Sequence, residues 1–354
     1  MDLALIQKKL KKDQCPYLIL LHSDPNFIYL TGLKEISFAV LLIPMSGKPH
    51  LLVTALDQEK KVGGFKTKVI KKSLTLTLKS FSVKKLAYNP TNLTLAFYHK
   101  LKKIYPRVKF KDYSSFFLEL RSIKTEVEIN FLKKAAKLTD LALQQIISQL
   151  KSNQFNTEND LKLFLQQFAL KYKTELSFPP IIASGKDNHN PHHQTSNKRL
   201  SPGFLLLDFG ISYHNYCSDM TRMVYLGNPT QKEIEFYNFL LKIQTEAINS
   251  LNFGLSLSQV DKEVRNKLGK FSSYFIHSLG HGVGIEIHEN PKVSPDSKDK
   301  VTLNQVFTIE PGVYFKKYGL RIEDTILMKS KPLILTKSRK ELIIINSKKY
   351  IKNK

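Results

Sequence analysis

Three histidines, His277, His281 and His288, stand within a span of twelve residues. Glycines at positions 280, 282 and 284 separate them. Glycine permits backbone conformations and close approaches that a Cβ forbids, so this segment predicts a bend that turns the imidazoles towards one point. It does not predict a phosphate-binding loop, because the order Gly-x-Gly-x-x-Gly is absent and no Lys-Ser or Lys-Thr follows the glycines.

Four acidic side chains stand at the ends of apolar strands or on the strands that follow them. Asp208 ends one such strand and Asp219 lies on the next, and a hairpin loop near residues 213–215 would bring their carboxylates side by side. Glu310 and Glu323 occupy similar positions on later strands. Because burying an unpaired ion is costly, carboxylates that converge require cations. Four carboxylates and one imidazole suit a pair of Mn²⁺, Co²⁺, Fe²⁺ or Zn²⁺ ions better than a single structural zinc.

These residues and their neighbours resemble a known family, the metallopeptidases of the pita-bread fold. That family includes Xaa-Pro dipeptidases (prolidases), Xaa-Pro aminopeptidases and methionine aminopeptidases. The motifs His-Ser-Leu-Gly-His-Gly-Val-Gly, Ser-Asp-Met-Thr-Arg, Ile-Glu-Pro-Gly and Arg-Ile-Glu-Asp-Thr are most similar to the prolidase and Xaa-Pro aminopeptidase branch. Residues 26–32 resemble the N-terminal domain of that branch, and residues 120–124 resemble its domain junction. The resemblance therefore covers nearly the whole chain.

The resemblance and the apolar patterns predict an α/β (α+β) protein with two domains. Residues 1–112 alternate buried strands with helical patterns, among them a short helix over residues 26–32 that a glycine closes and a helix over residues 91–104. This alternation indicates a small N-terminal creatinase-like α/β domain. Residues 113–354 would form the C-terminal pita-bread (creatinase/aminopeptidase) domain. There, Thr125 opens a long helix with a capping-box pattern, and a second helix follows over residues 158–171. Strands are predicted to carry all four acidic residues, and one of these strands runs unbroken over residues 320–328. The tail that includes residues 344–350 is predicted to form a last strand and a frayed basic end.

The resemblance implies a metal-binding role for five residues and two divalent ions per subunit, Mn²⁺ or Co²⁺, with Zn²⁺ or Fe²⁺ as alternatives. Asp208 would bind one ion and His281 the other. Asp219 and Glu323 would bridge the two ions. Glu310 would bind metal and also act as the general base that carries a proton.

Other residues would contact the substrate or support the metal ligands. His192 and His288 match the family's substrate-binding and transition-state-stabilising histidines, and His277 would form part of the pocket wall. Arg321 and Thr221 would lie behind the ligands, where Arg321 would orient the bridging carboxylates.

Two positions depart from the family's usual pattern. His192 is followed by His193 where the family usually has a small residue, so either histidine could be the functional one. In related dipeptidases a basic residue soon after the His-Glu pair grips the substrate carboxylate. Here that residue is Lys292, whose ammonium group is a point charge, whereas an arginine guanidinium could bind the carboxylate with two parallel hydrogen bonds. Lys292 favours a dipeptidase, and a Xaa-Pro aminopeptidase acting on longer peptides is the alternative.

The implied reaction is hydrolysis of the peptide bond before proline by a hydroxide that bridges two metal ions. Methionine aminopeptidase, a creatinase-like enzyme and a metal-free module that binds nucleic acid or protein are further alternatives. The N-terminal domain and Arg222 argue against methionine aminopeptidase. The intact set of five ligands argues against the other two, because creatinase-like enzymes work without metals and binding modules usually lose the ligands.

Composition limits the other functions. The chain has 55 basic and 30 acidic residues, a net charge of +25, which would suit nucleic acid. The excess is mostly lysine spread along the chain, while arginine is scarce, so a solvated lysine coat is favoured over a specific nucleic-acid site.

The sequence also bears on location and assembly. No run approaches the ~18 apolar residues that span a bilayer, and the N-terminus predicts an amphipathic helix in place of a signal peptide. Cys15 and Cys217 have no spacing that indicates a disulfide framework or a metal site. We therefore expect a cytoplasmic protein, no membrane partner, small peptide substrates with proline at the second position and, from the family's habit, a homodimer.

Overall fold

The computed structural model describes residues 3–347 and residue 349. The chain divides into two compact units, Met1–Leu120 and Arg121–Lys354. The predicted boundary after residue 112 lies upstream of this division, and it stays a prediction. No helix within the described residues is long and apolar enough to cross a membrane.

Within the residues that the structure describes, the first unit contains six strands and the helices that cover them. The strands are β1 (Tyr17–Leu21), β2 (Ala39–Pro44), β3 (His50–Val53), β4 (Lys66–Val69), β5 (Lys85–Tyr88) and β6 (Lys109–Asp112). The helices are α1 (Leu3–Lys12), α2 (Pro25–Thr31), α3 (Leu74–Lys79), α4 (Leu95–Ile104) and α5 (Ser114–Ser122), the last of which runs across the division. The strands form one sheet in the order β4-β3-β2-β1-β5-β6, with both parallel and antiparallel pairs.

Both faces of this sheet are buried, because successive side chains of a strand point to opposite faces. Leu18 and Leu20 of β1 pack in a core with α1 and α2, whereas Ile19 and Leu21 pack in a second core with α3 and α4. The predicted closure of α2 by glycine is confirmed, since Gly32 caps the helix in the left-handed conformation at φ 70°. This unit therefore has its own two-sided core.

The second unit contains four further α-helices and thirteen strands within the described residues. The helices are α6 (Glu126–Lys151), α7 (Glu158–Lys171), α8 (Gln231–Ser250) and α9 (Leu257–Leu268). The strands are β7 (Glu175–Leu176), β8 (Ile181–Ser184), β9 (Gly203–Phe209), β10 (Ile211–Ser212), β11 (Met220–Leu226), β12 (Gly280–Gly282), β13 (Glu289–Val293), β14 (Val306–Ile309), β15 (Gly312–Tyr314), β16 (Gly319–Arg321), β17 (Asp324–Met328), β18 (Pro332–Ile334) and β19 (Ile343–Ile345). They form a sheet β19-β11-β9-β8, a sheet β13-β12-β14-β17-β18, and the pairs β10-β7 and β15-β16.

Threonine caps begin three of these helices. Thr125 and Glu128 form the predicted capping box at the start of α6. Thr157 and Thr230 cap α7 and α8 in the same way. In each box the threonine hydroxyl accepts a hydrogen bond from a free N–H of the first turn, which fixes where the helix begins. The predicted bounds of α7, residues 158–171, are confirmed.

The alternation of β9 directs its acidic residue to one face. Leu206 packs in a core with α8 and α9, whereas Leu207 packs in a different core with α6 and α7. Asp208 therefore shares the face of Leu206. Thr221 of β11 lies directly opposite Asp208, and Asp219 precedes Thr221 by two residues, so all three side chains project from the same face.

Several predicted elements have different bounds in the structure. The single strand predicted over residues 320–328 is two strands, β16 and β17, interrupted at Ile322 and Glu323. The predicted helix over residues 91–104 begins only at Leu95, because Thr94 caps it. The bend predicted over residues 277–289 contains the short strand β12, and the chain bends both before it, at His277 and Leu279, and after it, over residues 284–288. The predicted final strand is β19. The predicted basic end beyond it lies, apart from Lys349, outside the described residues.

Candidate metal centre

A cavity of about 630 Å³ in the second unit brings most of the predicted site residues together. Its polar lining includes His192, Asp208, His277, His281, His288, Lys292, Glu310, Arg321 and Glu323. Its apolar lining consists mainly of Phe178, Pro179, Ile181, Pro191 and Ile287. A cavity of this volume, in which polar groups converge between apolar walls, suits a small ligand.

The predicted metal ligands form one cluster. Ligand atoms of Asp219, His281 and Glu323 lie within 4.8 Å of one another. His281 Nε2 lies 3.6 Å from Asp219 Oδ2 and 3.3 Å from Glu310 Oε1. Asp208 is close enough that its charge acts on Asp219. The structure therefore places all five residues around one point.

The cluster holds more negative charge than the surrounding residues neutralise. Burial, and then the charge of Asp208, raises the pKa of Asp219 well above its ordinary value. Burial, and then the charges of Asp219 and Glu310, does the same to the pKa of Glu323. Among the described residues, Oδ1 of Asp208 and Oδ1 of Asp219 are buried without a hydrogen-bond partner. Buried carboxylate oxygens that lack donors need cations, so the donor set fits divalent metal ions.

His281 and Glu310 form an ion pair and shift each other's pKa. Burial alone would lower the pKa of His281, but Glu310 and Asp219 outweigh burial and raise it to about 9. Burial alone would raise the pKa of Glu310, but His281 lowers it to about 2. The Glu310 carboxylate is therefore ionised at neutral pH, as a metal ligand or a proton acceptor must be.

Arg321 and Thr221 connect two of the carboxylates from behind. The buried guanidinium donates from Nη2 to Asp208 Oδ2 at 2.5 Å and from Nε to Thr221 Oγ1 at 3.1 Å. The Thr221 hydroxyl then donates to Glu323 Oε2 at 2.7 Å. Arg321 was predicted to orient the bridging carboxylates Asp219 and Glu323. It contacts Asp208 directly and reaches Glu323 only through Thr221.

A buried ion pair next to the cluster explains why the strand predicted over residues 320–328 is interrupted. Arg222 Nη2 lies 2.6 Å from Asp324 Oδ1, and Lys340 Nζ lies 2.9 Å from Asp324 Oδ2. Arg222 also donates to the backbone carbonyl of Glu323, whose N–H donates to the carbonyl of Thr221 at 3.3 Å. The backbone of Glu323 is therefore bound to β11, which turns its carboxylate towards the cavity.

Sequence reasoning missed two residues that support the site. Thr308 Oγ1 accepts from the N–H of His281 at 3.1 Å and donates to Glu310 Oε1 at 3.1 Å. Its position two residues before Glu310 could have identified it, because residues two apart on a strand share a face. Tyr314 Oη contacts His277 Nε2 at 3.0 Å and accepts from Arg321 Nη1 at 2.8 Å. No pattern in the sequence marks Tyr314.

The structure separates His192 from His193. His192 lines the cavity, whereas His193 does not, and its Nε2 lies 2.8 Å from Glu158 Oε2. This geometry favours His192 as the residue that faces the substrate.

A second group of possible ligands, Glu158, Asp187 and His193, also lies within 4.8 Å. Its oxygens have donors, because Glu158 accepts from Ser184 and Ser196 and Asp187 is paired with Lys198 at 2.6 Å. These carboxylates do not need a cation, so the group is a hydrogen-bonded anchor.

His288 and Lys292 face the cavity from the segment after β12. The ring centroids of His281 and His288 are 4.3 Å apart. Burial, and then the charge of His281, lowers the pKa of His288 below 6.5, so this imidazole is neutral at pH 7. Lys292 lies opposite His281 in the antiparallel pair of β12 and β13, and opposite residues of such a pair share a face.

Comparison with known proteins gives matches over both units. Residues 130–330 match the model of metallopeptidase family M24, and residues 3–123 match the creatinase/prolidase N-terminal domain. A Xaa-Pro dipeptidase of Pyrococcus horikoshii is 33% identical over 92% of this chain and 94% of its own length.

Solved structures give the same picture of the fold. The prolidase from Pyrococcus horikoshii superposes with a TM-score of 0.88 at 30% identity, covering 96% of this chain and 99% of that one. The X-Pro aminopeptidase from Thermotoga maritima superposes with a TM-score of 0.86 at 25% identity, covering 94% and 98%. These matches confirm the resemblance and the predicted fold, an N-terminal creatinase-like domain followed by a pita-bread domain.

Proposed function

Because the chain belongs to metallopeptidase family M24, we propose that it hydrolyses the peptide bond preceding proline in Xaa-Pro dipeptides. Metallopeptidases of this family use divalent metal ions. We propose two ions per subunit, with Mn²⁺ or Co²⁺ favoured over Zn²⁺ or Fe²⁺, because four carboxylates and one imidazole form an oxygen-rich set. The relative from Pyrococcus horikoshii, which carries the name Xaa-Pro dipeptidase, supports the choice of substrate.

The observation that carries the dipeptide assignment is the position of Lys292. A dipeptide ends in a free carboxylate one residue beyond the scissile bond, so a dipeptidase needs a cation there. Lys292 projects from the same face of the β12–β13 pair as His281 and lines the cavity. Its ammonium group forms no ion pair among residues 3–347 and 349. It is therefore available to a substrate carboxylate.

The metal ions would be held by five residues, Asp208, Asp219, His281, Glu310 and Glu323, with Asp219 and Glu323 shared between them. When bound, two such ions lower the pKa of a shared water and polarise the carbonyl of the scissile bond. The orphaned oxygens of Asp208 and Asp219 support this assignment.

The chain's own side chains would move the proton and stabilise charge. Glu310, ionised at neutral pH, would accept a proton from the attacking water and pass it to the proline nitrogen as the carbon–nitrogen bond breaks. The neutral imidazole of His288 would donate a hydrogen bond to the oxygen on which negative charge develops. His192, which also lines the cavity, would contact the substrate, and His277, fixed by Tyr314, would form the wall beside Glu310.

A Xaa-Pro aminopeptidase acting on longer peptides is the second candidate. The observation that favours it is the similarity to the Thermotoga maritima X-Pro aminopeptidase over 94% of this chain. An aminopeptidase must leave the side beyond proline open, so Lys292 would have no substrate carboxylate to bind. A homodimer, a cytoplasmic location and the lack of a specific nucleic-acid partner remain predictions.

The test compares Ala-Pro with Ala-Pro-Ala in wild-type protein and in the Lys292→Met variant. Chelation should abolish cleavage, and Mn²⁺ or Co²⁺ should restore it. If Lys292 binds the dipeptide carboxylate, its loss should raise KM for Ala-Pro about tenfold or more, since a charge-assisted contact contributes ~1.5–3 kcal/mol. Cleavage of Ala-Pro-Ala should change much less.

Lys298→Met is the matched control, because Lys298 is an exposed lysine of the same segment that does not line the cavity. Equal effects of Lys292→Met on both substrates, or no effect, would contradict the dipeptidase assignment and favour the aminopeptidase. Full activity after chelation would contradict a metallopeptidase mechanism.

A further inference from the structure

We propose that Glu158 and His193 are positioning residues, which hold the segment of residues 185–195 so that the imidazole of His192 faces the cavity. This inference rests on the proposed function, in which His192 contacts the substrate. Neither Glu158 nor His193 reaches the metal cluster or lines the cavity. They would act on the reaction only through the backbone that carries His192.

One carboxylate joins the two ends of this segment. Glu158 is the first residue of α7 and is fully buried. Its Oε1 accepts a hydrogen bond from the N–H of Ser184, at the end of β8, at 3.0 Å. Its Oε2 accepts one from the N–H of Ser196 at 3.2 Å. The chain leaves Glu158 at residue 184 and returns to it at residue 196, so the carboxylate closes a loop.

The same carboxylate also binds the middle of the loop, directly beside the functional histidine. His193 Nε2 lies 2.8 Å from Glu158 Oε2, and only 14% of the His193 side chain is exposed. Since the carboxylate is the acceptor, the imidazole donates from Nε2. The imidazole of the neighbouring His192 has no hydrogen-bond partner among the described residues, so its direction depends on the backbone that His193 holds.

The amino end of α7 strengthens this anchor. The backbone N–H groups of Glu158 and Asn159 have no partner inside the helix, and they donate to the carbonyls of Lys198 and Ser196 at 3.1 and 3.0 Å. The negative carboxylate of Glu158 lies in the first turn, where the helix dipole favours negative charge. The returning half of the loop is therefore fixed to α7.

The first half of the loop has a separate anchor. Asn188 is fully buried, donates from Nδ2 to the carbonyl of Phe204 at 2.9 Å and accepts at Oδ1 from the N–H of Gly319 at 2.8 Å. Removing the His193 side chain should thus leave residues 185–189 in place. Only the part that carries His192 should gain freedom, which makes His193 the better residue for a test than the fully buried Glu158.

The test is a double-mutant cycle on the full-length, Mn²⁺-loaded protein with Ala-Pro as substrate. His193→Ala should lower kcat/KM about tenfold or more when His192 is present, because a misplaced contact loses much of its transition-state stabilisation. In a His192→Ala background the same change should cost less than about twofold, because the two residues act as one unit. His193→Gln, which keeps a side-chain N–H donor, should recover part of the loss.

His189→Ala is the matched control. His189 is an exposed histidine of the same loop whose Nδ1 contacts only the carbonyl of Lys186, at 2.7 Å, so its loss should change kcat/KM less than about twofold. An equal loss from His193→Ala in both backgrounds would show that His193 acts independently of His192. No loss in either background would show that it does not act at all. Both results would overturn the proposal.

Hydrogen exchange supplies a readout that does not depend on activity. In metal-free protein, His193→Ala and Glu158→Gln should speed amide exchange in residues 190–198, and His189→Ala should not. Unchanged exchange in His193→Ala would overturn the proposal. If wild-type protein fails to cleave Ala-Pro, the proposed function is wrong, and the exchange result still decides whether Glu158 and His193 hold the loop.

Discussion

The residue after His288 supports a sharp stability prediction. The carboxylate of Glu289 is 2% exposed and lies between two buried cations, with Arg121 Nη2 at 2.5 Å and Lys124 Nζ at 2.7 Å. These cations are 5% and 1% exposed. The carboxylate also lies against Gly284, where an added Cβ would come within 2.2 Å of Glu289 Oε1. Glu289→Gln would remove the negative charge and leave both cations buried.

The expected cost follows from this burial. Removing one partner of a buried ion pair costs about 3–5 kcal/mol, because a remaining charge is left without compensation in a region of low dielectric constant. Here that charge is Lys124, whereas Arg121 keeps its contact with Glu286. For a domain of this size, 1 kcal/mol shifts Tm by about 2–4 °C, so Tm should fall by roughly 6–20 °C. Calorimetry or denaturant unfolding would measure the loss.

Glu286→Gln is the matched control. Glu286 contacts the same Arg121 at 2.8 Å, but its side chain is 40% exposed. Exposed ion pairs contribute about 0–1 kcal/mol, so this change should be nearly neutral. A further variant, Glu289→Gln with Lys124→Met, should recover about 1 kcal/mol or more, because it removes the stranded charge. Equal losses from Glu289→Gln and Glu286→Gln would refute the argument from burial.

The same ion pair makes the free energy of unfolding depend on pH. Burial alone would raise the pKa of Glu289, but Lys124 and Arg121 lower it below 4.5. A carboxyl whose folded-state pKa is depressed stabilises the fold above its unfolded-state pKa and loses that contribution as the pH falls through the folded-state value. The difference in unfolding free energy between wild type and Glu289→Gln should therefore be constant from pH 6 to 8 and shrink below about pH 4.5. A difference that grows on acidification would contradict the assigned charge.

Three other predictions concern the site and the surface. His288→Ala should lower kcat for Ala-Pro on the order of 10²-fold with metal content unchanged; lost metal would instead identify His288 as a ligand. Gly280→Ala should lower the metal content measured by elemental analysis, because the added Cβ would lie 2.0 Å from the carbonyl oxygen of Thr308 and would displace the strand that carries His281. Gly63→Ala, where the added Cβ meets open space, should leave the metal content unchanged. Duplex DNA should bind only weakly and with a steep salt dependence, whereas tight, sequence-selective binding at ~0.15 M salt would favour the binding-module alternative.

Sequence reasoning reached the carboxylate cluster because local rules determine much of it. Alternation along a strand sets the face of Asp208, and antiparallel pairing sets its neighbour Thr221. The cost of burying charge then predicts a cation. Local rules also gave the start of α6, where Thr125 and Glu128 form the capping box.

Other features depend on contacts between residues far apart in the chain. The interruption at Ile322 and Glu323 falls inside residues 320–328, a segment whose sequence predicts one continuous strand. It exists because Arg222 and the carbonyl of Thr221, roughly a hundred residues away, bind the backbone of Glu323. Likewise, the choice between His192 and His193 depends on Glu158, which is 35 residues from His193. Patterns of neighbouring residues carry no information about such partners.

Two clusters in this protein show why residue type alone does not identify a metal site. Glu158, Asp187 and His193 have the same chemistry as Asp219, His281 and Glu323, two carboxylates and an imidazole within 4.8 Å. Around Glu158, backbone N–H groups and His193 supply donors, so the ionised carboxylate is stable as it stands. Asp219 has an oxygen with no donor among the described residues, and burial together with its acidic neighbours raises its pKa, so its ionised form is unfavourable until a cation binds. The supply of donors, which only the fold determines, separates a hydrogen-bonded anchor from a candidate metal centre.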